Sequence, residues 1–351
     1  MTTAWKPNDG WNPYPDLCVL LPTPESHIDW LLQRREGIGS SDCAAVIGLD
    51  RYETALGLWL DKTGQIPLLS DLDSEQAEWG RLLEPVIRDR AAERLGLEVR
   101  LCGGLAHRGR PWQRASLDGV LMVEGEPIPI EVKSTSQYLA GDWADDQVPD
   151  RAELQVQHQL AVTGAPYGYV AGLIGGNRLV VRRVDRDPEL IAHIIREEAR
   201  LWQHVLDGTP PAVTARESLS VLLGAAGQAD TDALVLDDPD EVDQVRAWLA
   251  QYAQAGLDEK RALDRKAEAR NNLIWKAAGH TQIVDSAGEL LCRLQRGVFA
   301  AKRFEADEPD TASLYMKKVE VVDSKALRAE LPDTFRKYQS VSVRAPKSKE
   351  K

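Results

Sequence analysis

Two strand-like runs joined by a short turn constrain the fold of this chain more than any other feature. The runs "WQRASLDGVLMV" (residues 112–123) and "IPIEVKS" (residues 128–134) flank the turn "EGEP" and lie close enough in sequence to form a hairpin. Apolar and polar residues alternate in the second run, and side chains two apart on a strand share a face. Glu131 and Lys133 therefore point the same way. Such a pair is ordinary on a solvated face, so alone it indicates only a strand.

Helical patterns flank this hairpin on both sides. Residues 150–164 are typical of a helix that ends at Gly164, and residues 187–208 of a long amphipathic helix. Two further strand-like runs, "YGYVAGLIGG" and "RLVVRRVDR", lie between these helices. Residues 79–95 predict another helix, with one core-facing stripe: Trp79, Leu82, Leu83, Val86, Ile87 and Leu95. This order of elements predicts an α/β fold.

Changes in composition along the chain predict three regions. Residues 1–25 are rich in Pro, Asn, Asp and Trp, which predicts an irregular N-terminal arm. The segment "TPPAVTARES" marks the end of a main domain over residues 26–215, and residues 216–351 form a C-terminal extension that is first helical and then partly strand. In the extension, Asp238 before Pro239 predicts a helix start. A seam for another helix, in the same chain or a second one, is predicted by four spaced residues: Val242, Val245, Leu249 and Tyr252.

The overall charge and the cysteines narrow the class of protein. With 43 Lys and Arg against 55 Asp and Glu, the net charge of -12 argues against a protein that coats nucleic acid or an anionic membrane through bulk electrostatics. The four cysteines have no short spacing, which predicts neither a disulfide framework nor a thiolate metal site. No apolar run reaches the roughly 18 to 20 residues of a membrane helix. We therefore expect a soluble protein in a reducing cytoplasm, without a membrane partner.

Folding at the turn brings Asp118 of "SLDG" and Glu131 to neighbouring strands. Two carboxylates that meet repel each other, and a divalent cation between them relieves the repulsion; hard oxygen ligands suit Mg²⁺ or Mn²⁺. Lys133 can then hold an attacking water or stabilise charge on a phosphate. Glu84 can add a carboxylate from its helix, and Gln155 a polar group from the helix after the hairpin. Ordinary surface or turn roles for Asp118, Glu84 and Gln155 remain open alternatives.

The order of these motifs resembles the YqaJ-type viral recombinases, relatives of phage lambda exonuclease within the PD-(D/E)xK nuclease superfamily. The resemblance covers about residues 25 to 210 and is carried by "RREGIGSSDCAAVIG", "LWLDKTG", "WGRLLEP", "SLDG", "IEVKS" and "LQVQHQLAVTG". It implies a restriction-endonuclease-like core with a mixed central sheet flanked by helices. It also implies a Mg²⁺-dependent DNA exonuclease that digests one strand of a duplex end 5′ to 3′ for homologous recombination.

The resemblance implies roles for individual residues. The implied metal-binding positions are Asp118, Glu131 and Val132, and the implied catalytic set is Glu84, Asp118, Glu131, Lys133 and Gln155. Arg35 and Ser41 lie where relatives contact the terminal 5′-phosphate of DNA, and Arg34 is an equal alignment choice. Some relatives carry a further acid upstream of the Asp118 position, whereas "HRGRPWQR" here has none.

Partners and alternative functions follow from the same resemblance. It implies double-stranded DNA ends as substrate, a ring-shaped homotrimer and transfer of the exposed strand to a single-strand annealing protein. The alternatives are another PD-(D/E)xK endonuclease or repair nuclease, and a DNA-end binding protein without catalysis. Arg108, Arg110 and Arg114 either meet the DNA backbone or are solvated, and Trp112 between them favours core packing over base stacking.

Overall fold

The computed structural model of the chain describes residues 10–68, 75–226, 233–294, 302, 306–313 and 324–330. The chain divides into two compact units, Met1–Ala229 and Asp230–Lys351. Within the described ranges, no helix is both long and apolar enough to cross a lipid bilayer.

The first unit combines strands and helices. Its strands are β1 (Cys18–Leu20), β2 (Ile38–Gly39), β3 (Glu98–Arg100), β4 (Leu105–His107), β5 (Arg110–Ala115), β6 (Gly119–Val123), β7 (Glu126–Thr135), β8 (Tyr167–Ile174) and β9 (Arg178–Asp185). Its helices are α1 (His27–Arg35), α2 (Cys43–Val46), α3 (Ala55–Lys62), α4 (Glu75–Leu95), α5 (Asp150–Thr163), α6 (Pro188–Asp207) and α7 (Leu219–Ala226). Short 3₁₀ turns span Ser40–Asp42 and Gln137–Trp143.

A five-stranded mixed sheet in the order β3-β6-β7-β8-β9 forms the centre of this unit. β7 and β8 are parallel, and the other neighbouring pairs are antiparallel. The predicted hairpin is β6–β7, closed by Glu124 and Gly125 with φ of 51° and 89°, values that suit a tight two-residue hairpin turn. The prediction of an α/β fold with a mixed central sheet flanked by helices is therefore confirmed.

A second sheet has the order β1-β4-β5-β2. Its strand β1 lies in the segment predicted to be an irregular arm, so that prediction is wrong for residues 18–20. The strand pairs antiparallel with β4, and its Cys18 side chain is fully buried. Tyr14 is also buried and donates its hydroxyl hydrogen to the Pro127 carbonyl at 3.1 Å. These contacts fix the end of the arm to the domain.

Helix α4 packs on the central sheet through a face rotated from the predicted one. Trp79, Leu82 and Val86 are 55%, 57% and 62% exposed, which contradicts their predicted place in the core. Ile87 and Ala91 are buried in a cluster shared with the central sheet. The small alanine side chain lets the helix approach the strands, and polar residues of α4 reach the hairpin from the same side, as described below.

The first unit extends beyond the predicted boundary at residue 215. Val221 and Leu222 of α7 pack against a core cluster that contains Trp59 and Leu201. Because of this apolar contact, α7 belongs to the first unit, which ends at Ala229.

The second unit begins with a long helix, α8 (Pro239–Ala277), followed by an antiparallel pair, β10 (Gln282–Val284) and β11 (Leu290–Arg293). Helical segments Pro309–Ser313 and Ser324–Glu330 are also described. The Asp238 side chain accepts a hydrogen bond from the Asp240 N–H at 2.9 Å, as the predicted cap requires. Among the described residues of α8, only Ala277 is buried, so the predicted helix seam stays a prediction.

Candidate active site

The hairpin places Asp118 beside the strand that carries Glu131. Asp118 directly precedes β6, and the first residue of that strand, Gly119, pairs with Ile130. Oδ2 of Asp118 accepts a hydrogen bond from the backbone N–H of Val132 at 2.8 Å, which fixes the carboxylate against β7. Glu131 is 2% exposed. Burial, reinforced by the Asp118 carboxylate and opposed by Lys133 and Gln159, raises the pKa of Glu131 to about 7.

Lys133 and Glu131 leave the same face of β7, as the alternation predicts. The Lys133 Nζ atom donates to Oε1 of Glu131 at 2.5 Å and to Oε1 of Gln155 at 2.7 Å. The side chain of Lys133 is 31% exposed, whereas that of Glu131 is 2% exposed. The ammonium group is thus held between a buried acid and the solvent side of the site, where a phosphate could reach it.

Helix α5 supplies two amides to this group, one helical turn apart. Gln155 holds Lys133, and Gln159 donates from Nε2 to Oε2 of Glu131 at 2.6 Å. Gln159 was not predicted, although its four-residue spacing from Gln155 places both on one helix face. The Oε1 atom of Gln159 is buried without a hydrogen-bond partner among the described residues. The site therefore has an unused acceptor beside the acid.

Helix α4 brings Glu84 and a buried arginine to the other side of the hairpin. The Arg88 guanidinium lies 4.0 Å from Oε1 of Glu84 and 3.5 Å from the Asp118 carbonyl oxygen. A Cβ atom at Gly119 would lie 2.8 Å from Cδ of Arg88, so glycine there permits this close passage. Arg88 was also not predicted, and its signal is again the four-residue spacing, here from Glu84.

The structure brings Ser41 together with Arg34 rather than with Arg35. Arg34 donates to the Ser41 hydroxyl oxygen at 3.2 Å, and its guanidinium stacks over the ring of Trp30. Arg35 instead donates to Asp61 at 3.0 Å and to the Ile66 carbonyl at 2.8 Å. The side chain of Arg34 is 36% exposed and that of Arg35 is 16% exposed. Of the two arginines, Arg34 is the one oriented towards a ligand at Ser41.

A buried ion pair supports this arginine. Lys62 donates to Oδ2 of Asp42 at 2.8 Å and to the Arg34 carbonyl at 2.9 Å. Burial opposes ionisation of Asp42, but Lys62 and Arg34 outweigh it and hold the pKa of this carboxyl well below its usual range. The helix that follows this turn, α2, has only four residues, and Asp42 makes no side-chain cap to it. The turn is held by the ion pair instead.

The three arginines near Trp112 bond to the protein itself. Arg108, Arg110 and Arg114 donate to the carbonyl oxygens of three separate segments, at 3.0, 3.1 and 2.7 Å, through these acceptors: Pro15, Ala161 and Gln33. Trp112 packs against the core cluster around Ile38, as its predicted core role requires. These arginines thus tie the second sheet and the turn beside it to the segment before β1, to α5 and to α1.

The residues that can hold a metal ion are oxygen donors around the hairpin. Asp118 and Glu131 offer carboxylates. Glu84 offers a third from the facing helix α4, where it contacts Arg88. Val132 has no polar side chain, so only its backbone can take part. Carboxylate and carbonyl oxygens are the ligands that Mg²⁺ and Mn²⁺ prefer.

Comparison with known proteins shows similarity over the segment that carries this site. Residues 29–166 match the family described as "YqaJ-like viral recombinase domain". The uncharacterized protein YqaJ of Bacillus subtilis (strain 168) is 41% identical over 192 residues, which span 54% of this chain and 59% of that protein.

Two crystal structures of the alkaline exonuclease LHK-Exo from Laribacter hongkongensis are also similar, one of them in complex with dAMP. Their TM-scores are both 0.44, with 20% and 22% sequence identity, and each match covers 52% of this chain and 93% of that chain. All the candidate site residues described above lie within residues 29–166. Through this segment, the chain is similar to the YqaJ-like viral recombinase domain, and it spans about three fifths of the length of the Bacillus subtilis relative.

Proposed function

We propose that this protein is a divalent-metal-dependent deoxyribonuclease that degrades duplex DNA from its ends and exposes single strands for recombination. The observation that carries the proposal is the buried carboxylate of Glu131, which is close enough to Asp118 to be destabilised by it and has Lys133 Nζ at 2.5 Å. Acids and a lysine in this arrangement suit phosphodiester hydrolysis. The match of residues 29–166 to the YqaJ-like viral recombinase domain supports the role in recombination.

The acid pair fits a divalent cation. Burial of Glu131 beside a second carboxylate favours its protonated form, and a bound cation would favour the ionised form instead. Asp118, Glu131, the backbone of Val132 and Glu84 would hold Mg²⁺, for which Mn²⁺ could substitute. When bound, the metal supplies an activated water and neutralises charge on the phosphate.

The surrounding residues of the chain orient these groups. Gln155 and Glu131 hold the Lys133 ammonium in place, so it can bind a water or stabilise the negative charge that grows on the phosphate. Gln159 fixes the orientation of the Glu131 carboxylate. Arg88 links Glu84 to the carbonyl of Asp118, which keeps helix α4 against the hairpin.

The proposal assigns recognition of the 5′-terminal phosphate to Arg34 and Ser41. The two side chains touch, and a guanidinium binds phosphate oxygens in a fork that an ammonium cannot reproduce. Anchoring the 5′ end beside the acid site gives 5′ to 3′ digestion. A ring-shaped homotrimer and delivery to a single-strand annealing protein complete the proposed role and rest on the family resemblance. A cytoplasmic location rests on the spacing of the four cysteines, which predicts no disulfide framework.

A time course on end-labelled DNA tests the proposed function. The native protein is expected to release nucleotides from linear duplexes in Mg²⁺, to do so faster from 5′-phosphate than from 5′-hydroxyl ends, and to stop when the metal is chelated. Glu131→Gln should be inactive, and Glu126→Gln, at an exposed position on the same strand, is the matched control. Cleavage of covalently closed circles would establish an endonuclease instead. Binding of ends without release of nucleotides would establish a non-catalytic protein.

A further inference from the structure

A buried histidine and glutamate form an ion pair outside the acid site. His158 of α5 and Glu198 of α6 are both fully buried. Nδ1 of His158 lies 2.6 Å from Oε1 of Glu198, and Nε2 lies 2.8 Å from the carbonyl oxygen of Arg114. A carbonyl can only accept a hydrogen bond, so Nε2 carries a proton, and a second proton lies between Nδ1 and the carboxylate. The pair thus holds one proton more than a neutral imidazole beside an ionised carboxylate.

The same carboxylate joins four elements of the first unit. Its Oε2 atom accepts from Nε2 of Gln113 on β5 at 2.7 Å, and the Cys43 thiol of α2 faces it from another side. Arg110 of β5 also acts on Glu198 through its charge, and Asp42 acts on His158 in the same way. Burial opposes a charge on His158, but Glu198, the Arg114 carbonyl and Asp42 together raise its pKa.

The ion pair connects the two halves of the candidate site. Cys43 lies two residues after Ser41, which contacts Arg34. His158 lies on α5 between Gln155 and Gln159, the two amides that hold Lys133 and Glu131. A shift of α5 relative to α2 would therefore change the distance between the phosphate contact and the acid site.

We propose that the His158–Glu198 pair is a positioning element that fixes the separation between the 5′-phosphate contact at Arg34 and Ser41 and the ammonium of Lys133. The pair allows a phosphate-anchored strand to place its scissile bond at the acid site. This role rests on the proposed function and adds to it the part of the fold that links end recognition to cleavage.

The short hydrogen bond between His158 and Glu198 favours a shared proton over a metal ion in this group. The ligand atoms of Cys43, His158 and Glu198 lie within 4.8 Å of one another, which makes zinc the competing explanation. However, thiol ligands bind as thiolates, and burial, followed by the Glu198 carboxylate, raises the pKa of Cys43 well above its usual value. Nδ1 of His158 is also in direct hydrogen-bond contact with Glu198.

The test compares native protein with Glu198→Gln on duplexes with 5′-phosphate and 5′-hydroxyl ends. Because Arg34 and Ser41 are untouched, the variant should keep its tighter binding of 5′-phosphate ends, measured in Ca²⁺ to prevent turnover. The increase in kcat that a 5′-phosphate gives should fall by about tenfold or more, since misplacement of reacting groups is costly. Cys43→Ala, which removes one weak donor, should show a smaller change in the same direction and serves if Glu198→Gln does not fold.

Val184→Ala is the control for a purely structural effect. Val184 is buried on β9 and has no side-chain hydrogen bond, so its truncation lowers stability without touching the pair. It should leave the kcat ratio of the two ends unchanged. A native ratio in Glu198→Gln would overturn the positioning role alone. Stoichiometric zinc in the purified native protein that is lost in Cys43→Ala but kept in Glu131→Gln would do the same. Absence of cleavage in the native protein would overturn the proposed function, and the positioning role with it.

Discussion

Nζ of Lys133 lies 2.5 Å from Oε1 of Glu131, and both side chains leave one face of β7. The ammonium is the nearest compensating cation for an acid that burial and Asp118 both destabilise in its ionised form. The arrangement is therefore unfavourable for folding at neutral pH unless a further cation binds. Because the folded-state pKa of Glu131 is raised to about 7, its protonation stabilises the fold at low pH. This contribution is complete below about pH 4.3 and lost as the pH rises through about 7.

Glu131→Gln should abolish the increase in thermal stability that Mg²⁺ gives. Native protein is expected to gain thermal stability with Mg²⁺ concentration, because the ion binds the folded state. The variant lacks one carboxylate ligand and should show almost none of this gain, while its metal-free stability at mildly alkaline pH stays equal to or above that of the native protein. Thermal unfolding with and without Mg²⁺ measures the stabilisation by the metal and the metal-free stability. A variant with the native metal response would remove Glu131 from the metal site, and Glu126→Gln should behave like native protein.

Lys133→Met should separate metal binding from turnover. The methionine keeps most of the apolar stem and removes the ammonium that Glu131 and Gln155 hold. Mg²⁺ should still raise the melting temperature, whereas nucleotide release should fall by about a hundredfold, the scale of losing one electrostatic contact in a transition state. If the variant loses its Mg²⁺ response as fully as Glu131→Gln does, Lys133 is a structural partner of the acids and not a catalytic group.

Arg34→Ala and Arg35→Ala should differ in kind. Arg34→Ala should abolish most of the preference for 5′-phosphate ends, with slow cleavage of both ends remaining. Arg35→Ala should instead lower stability, because it removes the bonds to Asp61 and the Ile66 carbonyl. Arg34→Lys, which keeps the charge without the guanidinium fork, should recover only part of the preference. The reverse pattern, with end preference lost in Arg35→Ala alone, would return the phosphate contact to Arg35.

Sequence periodicity predicted the hairpin, the shared face of Glu131 and Lys133, and the helix that carries Gln155. These features depend on local geometry, namely the two-residue period of a strand and the end of a helix at Gly164. The core-facing stripe predicted for α4 was wrong for Trp79, Leu82 and Val86, because which side of a helix faces a sheet depends on the partner. Arg88 on that helix illustrates the difficulty: it is buried, and beside its neighbour Asp89 its partners include the Asp118 carbonyl, which only the tertiary fold brings within reach.

The choice between Arg34 and Arg35 was open for a related reason. Adjacent helix residues point about 100° apart, and spacing alone does not say which one faces Ser41. In the structure Arg35 pairs with Asp61 on α3, and Arg34 contacts Ser41. Gln159 could have been predicted from its helical spacing to Gln155, but its contact with Glu131 depends on how α5 packs against β7.

Asp42→Asn should destabilise the protein by about 3 to 5 kcal/mol, because it leaves the ammonium of Lys62 buried beside a neutral amide. Urea unfolding measures the loss, and Lys62→Met in the same background should recover part of it by removing the unpaired charge. The pKa of Asp42 is lowered by folding, so its contribution is present above about pH 3.9 and declines as the pH falls further. A loss of less than about 1 kcal/mol would mean that the pair behaves as an exposed one.

Removal of the second unit should leave the cleavage step largely intact. The candidate site residues all lie in the first unit, and the described residues of α8 are almost entirely exposed. A chain that ends at residue 229 is therefore expected to release nucleotides within about twofold of the native rate, as for independent distant changes. Its assembly, solubility or partner binding should change more, and analytical ultracentrifugation measures the assembly.

A chain that ends at residue 215 is the informative comparison, because it loses α7 and uncovers the cluster around Trp59 and Leu201. The chain that ends at residue 215 should be less stable than the chain that ends at residue 229. If the folded 229-residue chain binds DNA ends but loses all cleavage, the second unit contributes to the active site.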